Sequence, residues 1–214
     1  MSTYSKRFSS KFFAKLLQPG SRNNPVRDRA TSLSMVFEIL DEKKHKDFFI
    51  VETGCMRADH GQLAFGDDGA STYIFDDFIN FYDGEVASVD INPDNVAHAQ
   101  KMVSDRTTVY CSDSVEFLWN IPEKKKIDLL YLDSYDFEPE NPIPSQKHHL
   151  KELTAVMKNL RKGSIIMVDD NANTPEFEWF TKIAQGGKAG FVKEFMKDVG
   201  AELLLDEYQI IWRL

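Results

Sequence analysis

Phe48-Phe49-Ile50-Val51-Glu52-Thr53-Gly54 decides the reading of the whole chain. Four consecutive apolar residues are too few for a helix and show no alternation. A strand buried on both faces reads this way, and such strands belong to parallel sheets covered by helices. The run then passes through an acid into a glycine turn. Outward from it the unit repeats: Val86 to Asp90, Thr107 to Cys111, Ile127 to Leu132 and Ser164 to Val168 are further short strand-like runs. Between them the spacing predicts helices over 71–81 (capped by Ser71 or Thr72), Pro93 to Val103, Ser114 to Trp119 and 145–160. A helix over 188–199 precedes Ala201 to Leu205 and Tyr208 to Trp212. These two runs lie too close for a crossover helix and so pair antiparallel. Alternating strands and helices imply right-handed βαβ units. The expected fold is α/β: a Rossmann-like, doubly wound, mostly parallel seven-stranded sheet with a C-terminal antiparallel hairpin.

Ahead of the first strand, residues 4–17 read as a helix with Phe8, Phe12 and Leu16 in a stripe and Phe13 and Leu17 beside it, closed by Pro19-Gly20. Residues 21–25 read as a loop and 26–42 as a second helix. The division expected is a helical extension over 1–45 and one domain over 46–214. Residues 1–27 carry six basic side chains (Lys6, Arg7, Lys11, Lys15, Arg22, Arg27) and no acid, whereas the whole chain of 214 residues has a net charge of -8. That start reads as an amphipathic helix packed on the domain or on a second subunit, the alternatives being a transit peptide or a membrane-surface helix. The first 25 or so residues look dispensable for the sheet, so a symmetric homodimer is expected. The acidic balance argues against nucleic acid, and the absence of an apolar run of about 18 residues against a membrane span. Two cysteines, Cys55 and Cys111, make no disulfide framework. With no secretory signal, a cytoplasmic location is expected.

In an open α/β sheet, ligands bind outside the carboxyl ends of the strands. Here those ends carry Glu52, Asp90, Asp113, Asp133, Asp169 and Asp170. One acid in a turn means little, but acids after every strand point to a site. Gly54 permits close approach of a ligand to the backbone. Asp90, directly after a strand, is placed to accept from ribose hydroxyls. Asp113 reads either as an acceptor for an adenine amino group or as the cap of the helix that follows.

Val51 to Arg57 (Val-Glu-Thr-Gly-Cys-Met-Arg), Ser88-Val89-Asp90, Leu132-Asp133-Ser134-Tyr135-Asp136 and Met167-Val168-Asp169-Asp170-Asn171 together resemble the macrocin O-methyltransferase group. These are class I S-adenosylmethionine (SAM) enzymes that methylate hydroxyls of sugars and natural products. The resemblance covers roughly residues 48–175 and the closing hairpin. It implies SAM as cofactor, bound through Glu52, Gly54, Arg57, Ser71, Asp90 and Asp113, with Arg57 or the helix start at Ser71 holding the amino-acid end. It also implies a divalent metal, Mg²⁺, held by Asp133, Asp169 and Asp170, with Asn171 a possible substitute for one acid. Partners implied are a small-molecule hydroxyl acceptor, sugar or natural product, with neither nucleic acid nor membrane.

Two departures from the group stand out. The loop from Gly54 to Ser71 is long, and the Asp-Gly-Asp expected after the fourth strand is Asp133-Ser134-Tyr135-Asp136. The candidate catalytic residues are therefore Asp133, Asp136 and His149, with His148 an alternative to His149. No Asn/Asp-Pro-Pro-Tyr turn is present, which weighs against amino-group methylation of nucleic acid. Two other functions compete. One is an aminopropyltransferase, suggested by Asp133-Ser134-Tyr135-Asp136 but lacking the Gly-rich loop. The other is a catalytically silent SAM-binding protein.

Overall fold

The computed structural model describes residues 3–18, 27–57, 65, 68–173 and 178–214. The expected closure at Pro19-Gly20, the loop over 21–25, the start of the second helix at 26 and most of the long loop after Arg57 lie outside them. Seven strands form one sheet: β1 (Asp47–Thr53), β2 (Asp83–Asp90), β3 (Thr107–Cys111), β4 (Leu129–Leu132), β5 (Ile165–Val168), β6 (Glu202–Asp206) and β7 (Ile210–Arg213). Their spatial order is β3-β2-β1-β4-β5-β7-β6. The first five are parallel, and β7 runs antiparallel to both β5 and β6. The sheet expected from sequence is the sheet observed.

Register places the site. Thr53 lies opposite Val89 on one side and Leu132 on the other, and Leu132 opposite Val168. The next residue of each strand (Gly54, Asp90, Asp133, Asp169) therefore forms a second row along the carboxyl edge. The chain reverses its direction of strand addition between β1 and β4, which opens a crevice there. Gly54 sits in it at φ +80, and a Cβ there would stand 2.8 Å from the Asp133 carbonyl oxygen. Only glycine fits that conformation and that approach without strain.

Side chains alternate across the sheet, so each strand feeds two apolar layers. Ile50, Val86, Leu129, Tyr131 and Met167 pack under α3 (Ala30–Glu42) and α4 (Ser71–Phe81). Val51, Leu130, Leu132, Ile166 and Val168 pack under α6 (Ser114–Asn120), α7 (Ile143–Val156) and α9 (Gly190–Asp198). Helix α5 (Pro93–Met102) closes the edge over Val109 through Ala99.

The N-terminal stripe is part of this core. α1 (Tyr4–Phe8), a π-helical turn over Ser9–Phe13 and α2 (Ala14–Leu16) follow one another directly. Tyr4, Phe8, Phe12 and Leu16 are all buried in the layer with α3 and α4. Four residues of α-helix overshoot a full turn by about 40°, so a four-residue repeat drifts around the axis. The wider π turn winds more slowly and takes that drift back, keeping the four aromatic and aliphatic knobs on one face. Asp41 accepts from the amide N–H groups of Tyr4 (3.1 Å) and Ser5 (2.9 Å), satisfying the helix start. Arg7 and Lys11 reach Asp77 at 2.7 and 2.6 Å. The stripe covers its own domain, which removes the reason for expecting a homodimer through it. No helix among the described residues is long and apolar enough to cross a membrane.

The helices differ from expectation at two starts and by one addition. The second helix starts at Ala30 because Arg27–Asp28 pairs antiparallel with Leu17–Gln18. The cap of α4 is neither Ser71 nor Thr72: Ala70 takes that position at φ 48, and no side chain caps the helix. The two hydroxyls are used elsewhere, as described below. The sequence reading also passed over α8 (Glu178–Ala184).

Candidate active site

Two adjoining cavities of about 320 and 350 Å³ open at the carboxyl edge, sharing Gly54, Asp90, Ile91 and Ser134. Asp113, Tyr135 and His148 line the first, and Arg57, Asp68, Ser71, Asp133 and Asp136 the second. Their size suits a small-molecule ligand.

Asp90 stands between them. Oδ1 accepts from the Asn92 amide at 2.7 Å and Oδ2 from the Cys55 amide at 3.3 Å, with longer contacts from the Asn95 side-chain amide (3.5 and 3.4 Å) and from the Cys55 thiol to Oδ2 (3.7 Å). The Asn95 and thiol contacts are long and weak, so the carboxylate, which lines both cavities, can exchange them for stronger donors on a ligand. Asp113 does cap α6, accepting from the Glu116 amide at 2.9 Å through Oδ1, and it also lines the first cavity. Its two readings from sequence are compatible, because the cap engages one oxygen.

Glu52 is placed differently from expectation. It is fully buried behind the cavity wall, and its two oxygens accept from Ser71 Oγ (2.5 Å) and Ser88 Oγ (2.6 Å). Burial pushes its carboxyl up to about 7, against the opposing pull of the hydroxyl donors. Thr72 Oγ1 accepts from the Met56 amide at 2.9 Å. Glu52 and Thr72 therefore position the β1 loop and the first turn of α4, and Glu52 presents no surface to a ligand. Arg57 is exposed, donates from Nε to Asp68 at 2.9 Å, and lies 3.6 Å from Asp136.

The histidines divide as helix geometry requires. Neighbours on a helix point about 100° apart, so one faces the core when the other faces out. His149 is the buried one, its Nδ1 within 2.8 Å of the Ser145 carbonyl oxygen, and burial lowers it to about 4. It has no surface toward an acceptor, which corrects its candidacy as catalytic base. His148 is the one that lines the cavity, with Nε2 3.0 Å from Ser114 Oγ and 3.3 Å from Glu152.

Asp133, Asp169 and Asp170 converge, with ligand oxygens within 4.8 Å of one another. Two cations missed from sequence lie among them. Arg29 donates from Nε to Asp169 at 2.9 Å and reaches Oδ2 of the same residue through its second nitrogen at 2.8 Å. Gln209 donates to the other Asp169 oxygen at 2.9 Å. Lys188 contacts Asp133 Oδ1, reaches Asp170 Oδ2 at 3.1 Å, and is 1% exposed. Tyr208 donates to Asp170. Burial alone would raise Asp170, but Lys188 and Arg29 outweigh it and hold that carboxyl well below the usual range. Asn171 is turned away, donating to Asp206 at 2.8 Å.

No protein-family model matches the chain, and no curated protein matches it in sequence. Solved structures do share its architecture. MycE methyltransferase of the mycinamycin biosynthetic pathway, in complex with Mg, SAH and mycinamycin VI, superposes on 98% of this chain at a TM-score of 0.60 and 15% identity. The chain spans about half of that protein, 54% of its length. The O-methyltransferase NovP aligns over 98% of both chains at a TM-score of 0.57 and 15% identity. CalS11, a TDP-rhamnose 3'-O-methyltransferase of calicheamicin biosynthesis, aligns over 97% of this chain and 86% of its own at 0.56 and 15% identity. The chain has the fold of these methyltransferases. Within that methyltransferase fold the acid cluster has the spacing and the hard oxygen donors that a divalent ion wants. Its surroundings do not fit one as they stand. Arg29 and Gln209 engage both oxygens of Asp169, and Lys188 bridges the other two carboxylates.

Proposed function

We propose that the chain is a SAM-dependent methyltransferase that moves a methyl group onto a hydroxyl of a small molecule, a sugar or related natural product. The observation that carries this reading is Asp90, at the end of β2, lining two joined cavities with only long side-chain contacts for a ligand to displace. Support for the acceptor class comes from the shared fold with MycE, NovP and CalS11. In this reading residues 46–214 carry the reaction, and the described helices within 1–45 pack on the sheet while Arg29 reaches the acid cluster.

Asp90 accepts from the two ribose hydroxyls of SAM, and the Asp113 oxygen not engaged in capping accepts from the adenine amino group. Gly54 lets the backbone approach the sulfonium side. Arg57 and the start of α4 at Ser71 meet the carboxylate of the amino-acid end, with Glu52 positioning that start from behind. The acceptor lies over Asp133 and Asp136. Its hydroxyl oxygen attacks the methyl carbon in line with sulfur: the new O–C bond forms as the C–S bond breaks, and the bonding pair returns to sulfur. The hydroxyl proton passes to a carboxylate. Asp136, 82% exposed at the mouth and steadied by Arg57, is the acceptor for it, while Asp133 orients the hydroxyl. The products are a neutral thioether, S-adenosylhomocysteine, and a methyl ether.

The test is transfer of labelled methyl from SAM to a panel of sugars and phenolic natural products. Product formation that falls at least about tenfold in Asp136→Asn supports the reading. Transfer to none of them, with SAM bound, would leave a silent SAM-binding protein as the better account.

A further inference from the structure

We infer that Lys188 is the resident cation of the carboxylate cluster, standing between Asp133 and Asp170 where a divalent ion would otherwise have to bind. The inference deepens the proposed function, since it concerns the acceptor side of the same site.

Three features carry it. The ammonium has three donors and three oxygens to receive them: Asp133 Oδ1, Asp170 Oδ2 at 3.1 Å and the Asp133 carbonyl oxygen at 3.2 Å. A buried ammonium needs that complete set, because leaving water is costly unless every donor is used. The backbone that carries it is also fixed. Gly187, at φ +52, packs so closely on the Asp170 loop that a Cβ would fall 1.7 Å from the Asp170 carbonyl oxygen. The Lys188 amide donates to that oxygen at 3.0 Å. Lys188 is thus delivered to the acids by its main chain and is no surface side chain that happens to fold inward.

The third feature is charge. Arg29 and Lys188 set two positive charges against at most three negative ones. A divalent ion added beside Lys188 would leave a net positive charge in a buried place. Mg²⁺ also demands about six oxygens in near-octahedral array. The ammonium holds Asp133 Oδ1 and Asp170 Oδ2, and Asp169 is engaged on both oxygens by Arg29 and Gln209. A metal drawing on those two oxygens would have to displace Lys188 from them.

The experiment uses Mn²⁺ as probe, counted by electron paramagnetic resonance, on the full chain and on Lys188→Met, with SAM binding followed in parallel by calorimetry. The wild-type chain is expected to leave Mn²⁺ free at roughly 1 mM. Lys188→Met, stripped of the ammonium, is expected to bind one Mn²⁺ per chain at least about tenfold more tightly, and Asp170→Asn in that background to lose it. One Mn²⁺ bound by the wild-type chain and lost in Asp170→Asn overturns the inference, whether or not the Met variant folds. A folded Lys188→Met that ignores Mn²⁺ overturns it as well. Failure of the methyltransferase reading would show separately, as absence of SAM binding in the wild-type chain.

Discussion

The two halves of the carboxyl edge begin from the same device, an acid placed directly after a strand, and end in opposite electrostatic states. At β2, Asp90 is braced by two backbone amides and, more loosely, by Asn95 and the Cys55 thiol, and it lines open cavity. At β4 and β5, Asp133, Asp169 and Asp170 are matched by Arg29 and Lys188, cations supplied by the chain itself. The difference teaches that strand-end acids do not define a site by position alone. What matters is which of their oxygens remain unengaged, and that is decided by residues distant in sequence.

The comparison can be broken most forcefully at Asp169. Asp169→Ala leaves Arg29 buried without its main partner. Urea unfolding should show a loss of about 3–5 kcal/mol. A loss below about 1 kcal/mol would mean the cations are not held by the acids. Asp90→Ala, by contrast, should leave stability nearly unchanged, because its partners are neutral groups and no buried cation depends on it.

A slightly smaller effect is expected from Glu52, which serves the open half from behind. Its carboxyl is raised from 4.5 to about 7 by burial. The folded chain then holds a proton that the unfolded chain has lost between those values. Stability should fall as pH rises through that window, by roughly 3 kcal/mol in all. Glu52→Gln, which cannot ionise, should flatten the fall. Urea midpoints from pH 4.5 to 8 would check it, and an equal slope in both proteins would contradict the assignment.

The smallest effect concerns Asp113, where capping and binding share one carboxylate. Asp113→Ala should cost about 1 kcal/mol through the lost cap. Asp113→Ser, which retains a capping oxygen, should recover most of that stability in thermal unfolding. SAM affinity should stay lowered in both variants.

The sheet was legible because each buried strand is an apolar run closed by an acid, and because the last two runs leave no room for a crossover. Asp90, Asp133 and Asp169 were legible as a row for the same reason. The cations were not. Arg29 lies 140 residues from Asp169, and its own surroundings look like the start of a surface helix. Lys188 opens a segment that reads as a solvated helix, and the Gly186-Gly187 pair before it gives no hint of which loop it meets. His149 carried a signal that went unread: Glu152, Leu153 and Val156 follow it at three, four and seven residues, the spacing of a buried face. The N-terminal stripe is legible in the sequence as apolar and helical. Its partner, the layer of α3 and α4, emerges only when the sheet is assembled.

The central claim is that the open half binds SAM through Asp90. Calorimetry of the wild-type chain and of Asp90→Ala with SAM tests it directly. The account predicts binding of one SAM per chain, weakened about 10- to 100-fold in the variant, the worth of hydrogen bonds to a charged acceptor. Equal affinity in the two proteins, or no binding by the wild-type chain, would contradict it.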